Sequence, residues 1–113
     1  MEFVIEGDPK LIQHLTYERD PRIIKTLKEQ RLLENGRLAC EVCGFDFQDT
    51  YGKRGYGYIE AHHDVPLHAR GGASRTGFED LTLLCANCHT MIHTGPHWIT
   101  VAELRQRLRE GGA

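Results

Sequence analysis

The chain has 113 residues, 40% of them hydrophobic and 27% charged, with a formal net charge of −2. Such a length holds one small domain, and the near-neutral charge excludes strong electrostatic capture of nucleic acid by the surface as a whole. No apolar run approaches the roughly eighteen residues that cross a membrane, and residues 1–8 carry no basic-then-apolar leader, so a cytoplasmic protein with no membrane partner is expected.

In chain order, Asp8-Pro9 and Asp20-Pro21 each set an N-cap acceptor before a proline suited to the first helical position. They predict helices over residues 9–18, burying Leu11, Ile12 and Leu15, and over residues 21–34, burying Ile23, Ile24 and Leu27, with Asn35-Gly36 closing the second. Residues 38–44 read as a metal knuckle, in which Gly44 permits the tight turn. Phe45, Asp46 and Phe47 read as a strand and so do residues 56–63, joined by a turn-like stretch over 51–55. Val65, Pro66 and Leu67 end that second strand. A glycine-bearing loop over 68–79 leads to a short apolar strand over 81–84. A helix starts at Cys85, runs through Thr94 and is stopped by Gly95-Pro96. Thr100 and Glu103 form a capping box for a last helix with Val101, Leu104 and Leu108 on one face. The expected organisation is one α+β domain over 1–113: a helical part at 8–36, a metal-bearing core at 38–95 and a C-terminal helix at 100–110.

The chemistry is concentrated in the core. Cys40, Cys43, Cys85 and Cys88 are all the thiols of the chain, set as two Cys-x-x-Cys pairs. Two disulfides are the alternative in a secreted protein, but this spacing beside histidines argues for one tetrahedral structural zinc. A closed four-thiolate site has no open coordination position and does not catalyse. The histidines are surplus to it. His89 and His93, four apart, share one helix face. His62 and His63 end a strand, where neighbouring side chains point to opposite faces; one can join the helix pair on a second ion while the other stays uncoordinated and acts as a general base near neutral pH. Glu60 either orients a ligand histidine or sits in water.

Residues 40–95 carry four basic and seven acidic side chains, formally −3, so attraction for phosphate must arise locally. Arg70 and Arg75, on the glycine-bearing loop, are the leading candidates for substrate contact, ahead of Arg19, Arg22 and Arg54.

The run from Ile59 to Leu67 containing Glu60, His62, His63 and Pro66, then Asp80-Leu81, then Leu84 to His89 and Met91-Ile92-His93, resembles the HNH endonuclease family, most closely its zinc-bound bacterial McrA-like branch. The resemblance implies a ββα-metal (His-Me) finger that hydrolyses DNA phosphodiesters. It implies His63 as general base, His62 and His89 as ligands of a catalytic divalent ion (Mg2+, Mn2+, Ni2+, Co2+ or Zn2+), and His93 as a third ligand. The asparagine of the family motif falls on Asp80, which can accept but not donate hydrogen bonds when ionised and is expected to pin the loop through backbone N–H groups. The implied partner is DNA, double-stranded, with a protein partner supplying site specificity. The rival reading is a zinc-structured module that binds nucleic acid or protein without hydrolysis; a third is a hydrolase of RNA or of another phosphodiester.

Overall fold

A computed structural model of the chain describes residues 21–64 and 76–111. The helix expected over 9–18, Arg19, the strand end expected at Val65, Pro66 and Leu67, and residues 68–75 of the glycine-bearing loop, Arg70 and Arg75 among them, lie outside the described residues. The elements are α1 (Pro21–Asn35), α2 (Phe47–Tyr51), a 3-10 turn (Gly52–Gly55), β1 (Glu60–His63), a second 3-10 turn (Phe78–Asp80), β2 (Leu81–Leu84), α3 (Ala86–Ile92) and α4 (Val101–Arg109). This mixture of helices around a small two-stranded sheet is the α+β arrangement expected.

Strands β1 and β2 pair antiparallel, with Glu60 opposite Leu84, Ala61 opposite Leu83, His62 opposite Thr82 and His63 opposite Leu81. Every side chain of β2 is buried, because both faces of the sheet are covered. Leu81 and Leu83 pack with Leu27 of α1, Leu38 and Ile59. Leu84 turns the other way, onto Cys40, Cys85, Cys88, Ile92 and Leu104. Alternation along the strand thus divides the core into a layer under α1 and a layer under α3 and α4. The edge of β2 not taken by β1 holds the knuckle: Glu41 donates its backbone N–H to Leu83 O (2.9 Å), and its carboxylate accepts from Leu83 N (2.6 Å). Arg105 of α4 donates to Glu41 O, so the C-terminal helix is tied to the same point.

The helix expected from Cys85 through Thr94 is confined to Ala86–Ile92, with Cys85 and His93 as its caps, and two strand expectations are corrected. Phe45, Asp46 and Phe47 do not form a strand. Ala39 and Asp46 make one isolated bridge, and the Asp46 carboxylate then caps α2 by accepting from Gln48 N (2.8 Å) and Asp49 N (3.1 Å). The capping preference of an aspartate outweighs the strand preference of two phenylalanines when so few residues are available to pair. The strand expected over 56–63 is confined to Glu60–His63, because the chain before it turns tightly. There Gly55 lies against the Phe47 carbonyl so closely that a Cβ would meet its oxygen at 2.2 Å.

Helix α4 starts as its sequence dictates, with Thr100 Oγ1 accepting from Glu103 N (3.1 Å). Leu104 is buried. Leu108, expected on the same apolar face, is half exposed, since the short α3 and the knuckle leave the last turn of α4 uncovered.

Candidate metal centres

The first centre is built by two tight turns meeting across β2. In the knuckle, Gly44 has φ +81 and donates its N–H to Cys40 O (2.9 Å), the left-handed step that a residue with a Cβ resists. The turn also aims the N–H groups of Val42 and Cys43 at Cys40 Sγ (3.4 and 3.5 Å). Cys85 caps α3 through its sulfur, which accepts from Cys88 N (3.4 Å). The four sulfurs of Cys40, Cys43, Cys85 and Cys88 fall within 4.8 Å of one another, and those of Cys43 and Cys85 are 3.7 Å apart. Four thiolates bound to zinc at about 2.3 Å in a tetrahedron stand about 3.8 Å apart. The donor set and its spacing fit a zinc ion.

Electrostatics agree. Burial opposes ionisation of Cys40, but N–H groups from Cys43, Cys85 and Val42 outweigh it and bring the thiol down to about 7. Burial, with the neighbouring sulfurs, pushes Cys88 well above the usual thiol range. Four clustered thiols cannot all ionise alone; a divalent cation replaces their protons, which couples metal binding to proton release.

The second centre lies on the α3 side of the sheet. Glu60 and His62, two apart on β1, both face α3. His62, His89 and His93 each offer a ring nitrogen, all within 4.8 Å of one another. His62 Nδ1 and His93 Nε2 are 3.3 Å apart, close to the edge of a tetrahedral site with bonds of about 2.0–2.1 Å. His62 is 1% exposed, and its Nε2 meets no hydrogen-bond partner among the described residues. Three imidazoles whose ring nitrogens converge, two of them at the spacing of a coordination edge, suit a cation. Burial, reinforced by His93, His89 and His63, holds the His62 pKa down to about 4, which keeps the ring neutral and its lone pair available near neutral pH.

The chain 58–60 sets the orientation of His89. Glu60 Oε1 lies 2.8 Å from His89 Nδ1, and a carboxylate can only accept, so Nδ1 carries a proton and, in the neutral ring, the lone pair is on Nε2. Tyr58 donates its hydroxyl to the other carboxylate oxygen. Glu60 thus bonds a histidine and does not simply sit in water. The role of Tyr58 had no sequence reading of its own; its signal was the period-2 placement of Tyr58, Glu60 and His62.

His63 is half-buried at the end of β1, opposite Leu81, and is not part of the three-histidine cluster. Asp80 accepts from Gly77 N through its carboxylate (2.8 Å) and from Asp64 N through its carbonyl (2.9 Å), closing the turn that enters β2. Among the described residues no helix is long and apolar enough to cross a membrane.

Comparison with known proteins bears on both centres. Residues 40–95 match the family of HNH endonucleases. Over 77 residues, 68% of this chain, the sequence is 35% identical to the type IV methyl-directed restriction enzyme EcoKMcrA of Escherichia coli (strain K12). The chain spans 24% of that relative's length.

Proposed function

The chain belongs to the HNH endonuclease family through residues 40–95, and we propose that it is a metal-dependent endonuclease hydrolysing phosphodiester bonds of double-stranded DNA inside the cell. The observation that carries this reading is the convergence of His62, His89 and His93 beside a thiolate site that has no open position of its own. A zinc-structured binding module gives no reason for three imidazoles to meet.

In this reading Cys40, Cys43, Cys85 and Cys88 hold zinc as a structural ion, and His62, His89 and His93 hold the catalytic one. Their nitrogen donors favour Mn2+, Co2+, Ni2+ or Zn2+, while Mg2+ serves where water and phosphate complete the shell. When bound, the divalent ion neutralises charge on the scissile phosphate and stabilises the leaving 3′ oxygen. His63 accepts the proton of the attacking water as its oxygen bonds to phosphorus; the bond to the 3′ oxygen breaks, and that oxygen takes a proton from solvent. The ends left are a 5′ phosphate and a 3′ hydroxyl. Glu60 holds His89 in the tautomer that presents Nε2, and Asp80 shapes the turn before β2. Arg70 and Arg75 remain candidate phosphate contacts, and a partner protein supplies recognition of particular sequences.

Plasmid cleavage with and without added Mn2+ or Mg2+ tests the reading: metal-dependent nicking or linearisation is expected, and a zinc-loaded protein inert with every divalent ion would overturn it. Calorimetric titration of the zinc-loaded protein with Mn2+ tests the ligand set. His62→Ala and His89→Ala should weaken Mn2+ binding strongly without loss of the zinc. Glu60→Gln should weaken it about 10–100-fold, the usual effect of removing the carboxylate that orients a ligand histidine. Unchanged affinity in His62→Ala and His89→Ala would move the ion elsewhere.

A further inference from the structure

The alignment of His89 depends on Glu60, and a glutamate side chain is flexible. The Glu60 side chain is 20% exposed and borders a cleft of about 330 Å³ lined also by Ile24, Lys25, Lys28 and Tyr58. Its bond from Oε1 to His89 Nδ1 (2.8 Å) fixes one point only. The terminal torsion of a glutamate is broad, so one bond alone leaves the carboxylate free to rotate and to swing toward the cleft. A second bond, at the other oxygen, removes that freedom. Tyr58 supplies it: the phenol O–H donates to Glu60 Oε2, a short hydrogen bond to a charged acceptor and therefore of the stronger kind.

The tyrosine is itself held in place. Its backbone N–H donates to Gly55 O (3.2 Å), which ties it to the tight turn before β1. Its ring meets that of Phe47, the first residue of α2, edge to face with centroids 4.7 Å apart, a favoured aromatic geometry. Lys28 Nζ of α1 stands 5.9 Å from the centre of the same ring, within the range of a cation–π contact. Tyr58 is 45% exposed, yet its ring is clasped by two helices and the turn. A fixed hydroxyl is thereby presented to Glu60, and through Glu60 to His89.

Resting on the histidine-bound ion of the reading above, we propose that Tyr58 is a positioning residue for that ion: its hydroxyl holds the Glu60 carboxylate on His89 and so keeps Nε2 of His89 presented to the metal. It acts through Glu60 and not on the substrate. A tyrosine with only a packing role would act through its ring, which phenylalanine preserves; the hydroxyl alone separates the two roles.

Calorimetric titration of zinc-loaded Tyr58→Phe with Mn2+ measures the effect. Affinity should fall about tenfold, the lower end of the ~10–100-fold lost when a partner of a ligand histidine is removed, while the zinc and a cooperative melt are retained. In a Glu60→Ala background the same substitution should cost nothing further, because the hydroxyl has lost the carboxylate it holds; such non-additivity is the mark of a shared interaction. Tyr51→Phe, which removes the hydroxyl of another tyrosine stacked beside Phe47 (6.3 Å), should bind Mn2+ normally. Normal affinity in Tyr58→Phe, or an equal loss with and without Glu60, would overturn the proposal. Long-range 1H–15N spectra of the zinc-loaded protein without Mn2+, at mildly alkaline pH, read the tautomer of His89 independently of the second ion. The normal protein should show Nδ1 protonated, and Tyr58→Phe a mixture of the two tautomers. If the normal protein binds no second ion, the ligand reading fails, and the tautomer comparison still decides whether Tyr58 holds Glu60 on His89.

Discussion

His63→Ala should lower DNA cleavage about 10²–10⁴-fold, the usual cost of losing a positioned general base, while the fold, the zinc and Mn2+ affinity are retained. The expectation follows from the division of roles along β1. His62 is buried among the other two histidines, whereas His63, one residue on, is half-buried outside that cluster at the end of the strand. Removing a ligand would weaken the ion's binding, and saturating metal would restore part of the rate. Removing a base would leave binding intact, and no metal concentration would rescue turnover. Plasmid cleavage by His63→Ala over a Mn2+ titration distinguishes the two. Near-normal cutting at saturation would exclude His63 as the base, and a loss of Mn2+ affinity would make it a ligand. In the normal protein the rate should also fall on acidification, because an imidazolium cannot accept the water's proton.

Cys85→Ala should leave the domain without cooperative structure. Structural zinc bound by a small domain contributes an apparent ~10–16 kcal/mol, as large as the ~5–15 kcal/mol by which whole domains are stable. Forfeiting even part of it is therefore enough to unfold a chain of this size. Cys85 has two further tasks: its sulfur caps α3 through Cys88 N, and its side chain lies in the core with Leu84, Ile92 and Leu104. Since α3 also carries His89 and is capped by His93, loss of the zinc should remove the second centre together with the first. Circular dichroism melts and zinc analysis of the purified variant check this. A folded, zinc-free Cys85→Ala protein with a sharp melting transition would refute the four-cysteine assignment.

Much of this was legible in the residues because it depends on short-range geometry. Pro21 and Asn35 are the first and last residues of α1, and Thr100 opens α4, since such signals involve groups only a few residues apart. Cys88 and His89 lie on α3 with Cys85 and His93 as its two caps, a local arrangement, and the unbroken run Leu81–Leu84 is what a strand covered on both sides requires. Where two local tendencies competed, the sequence was read the wrong way. Asp46 between two phenylalanines suits either a strand or a cap, and with so few residues available to pair its carboxylate caps α2.

The sequence by itself determined the candidate ligand types, their grouping into two sets and the local elements near them. Alternation along β1 required His62 and His63 to part company, but it did not say which of the two turns toward α3. Only the tertiary structure decided that, by pairing His62 with Thr82 and bringing it to His93, 31 residues away. The same holds for Glu60, whose partner His89 is 29 residues distant, and for Lys28 over the Tyr58 ring. The physical reason is common to all three. A helix or a cap is specified by hydrogen bonds within about one turn of chain, whereas these contacts exist only once the apolar faces of α1, β2 and α3 have been buried against one another, and that packing depends on all of them at once.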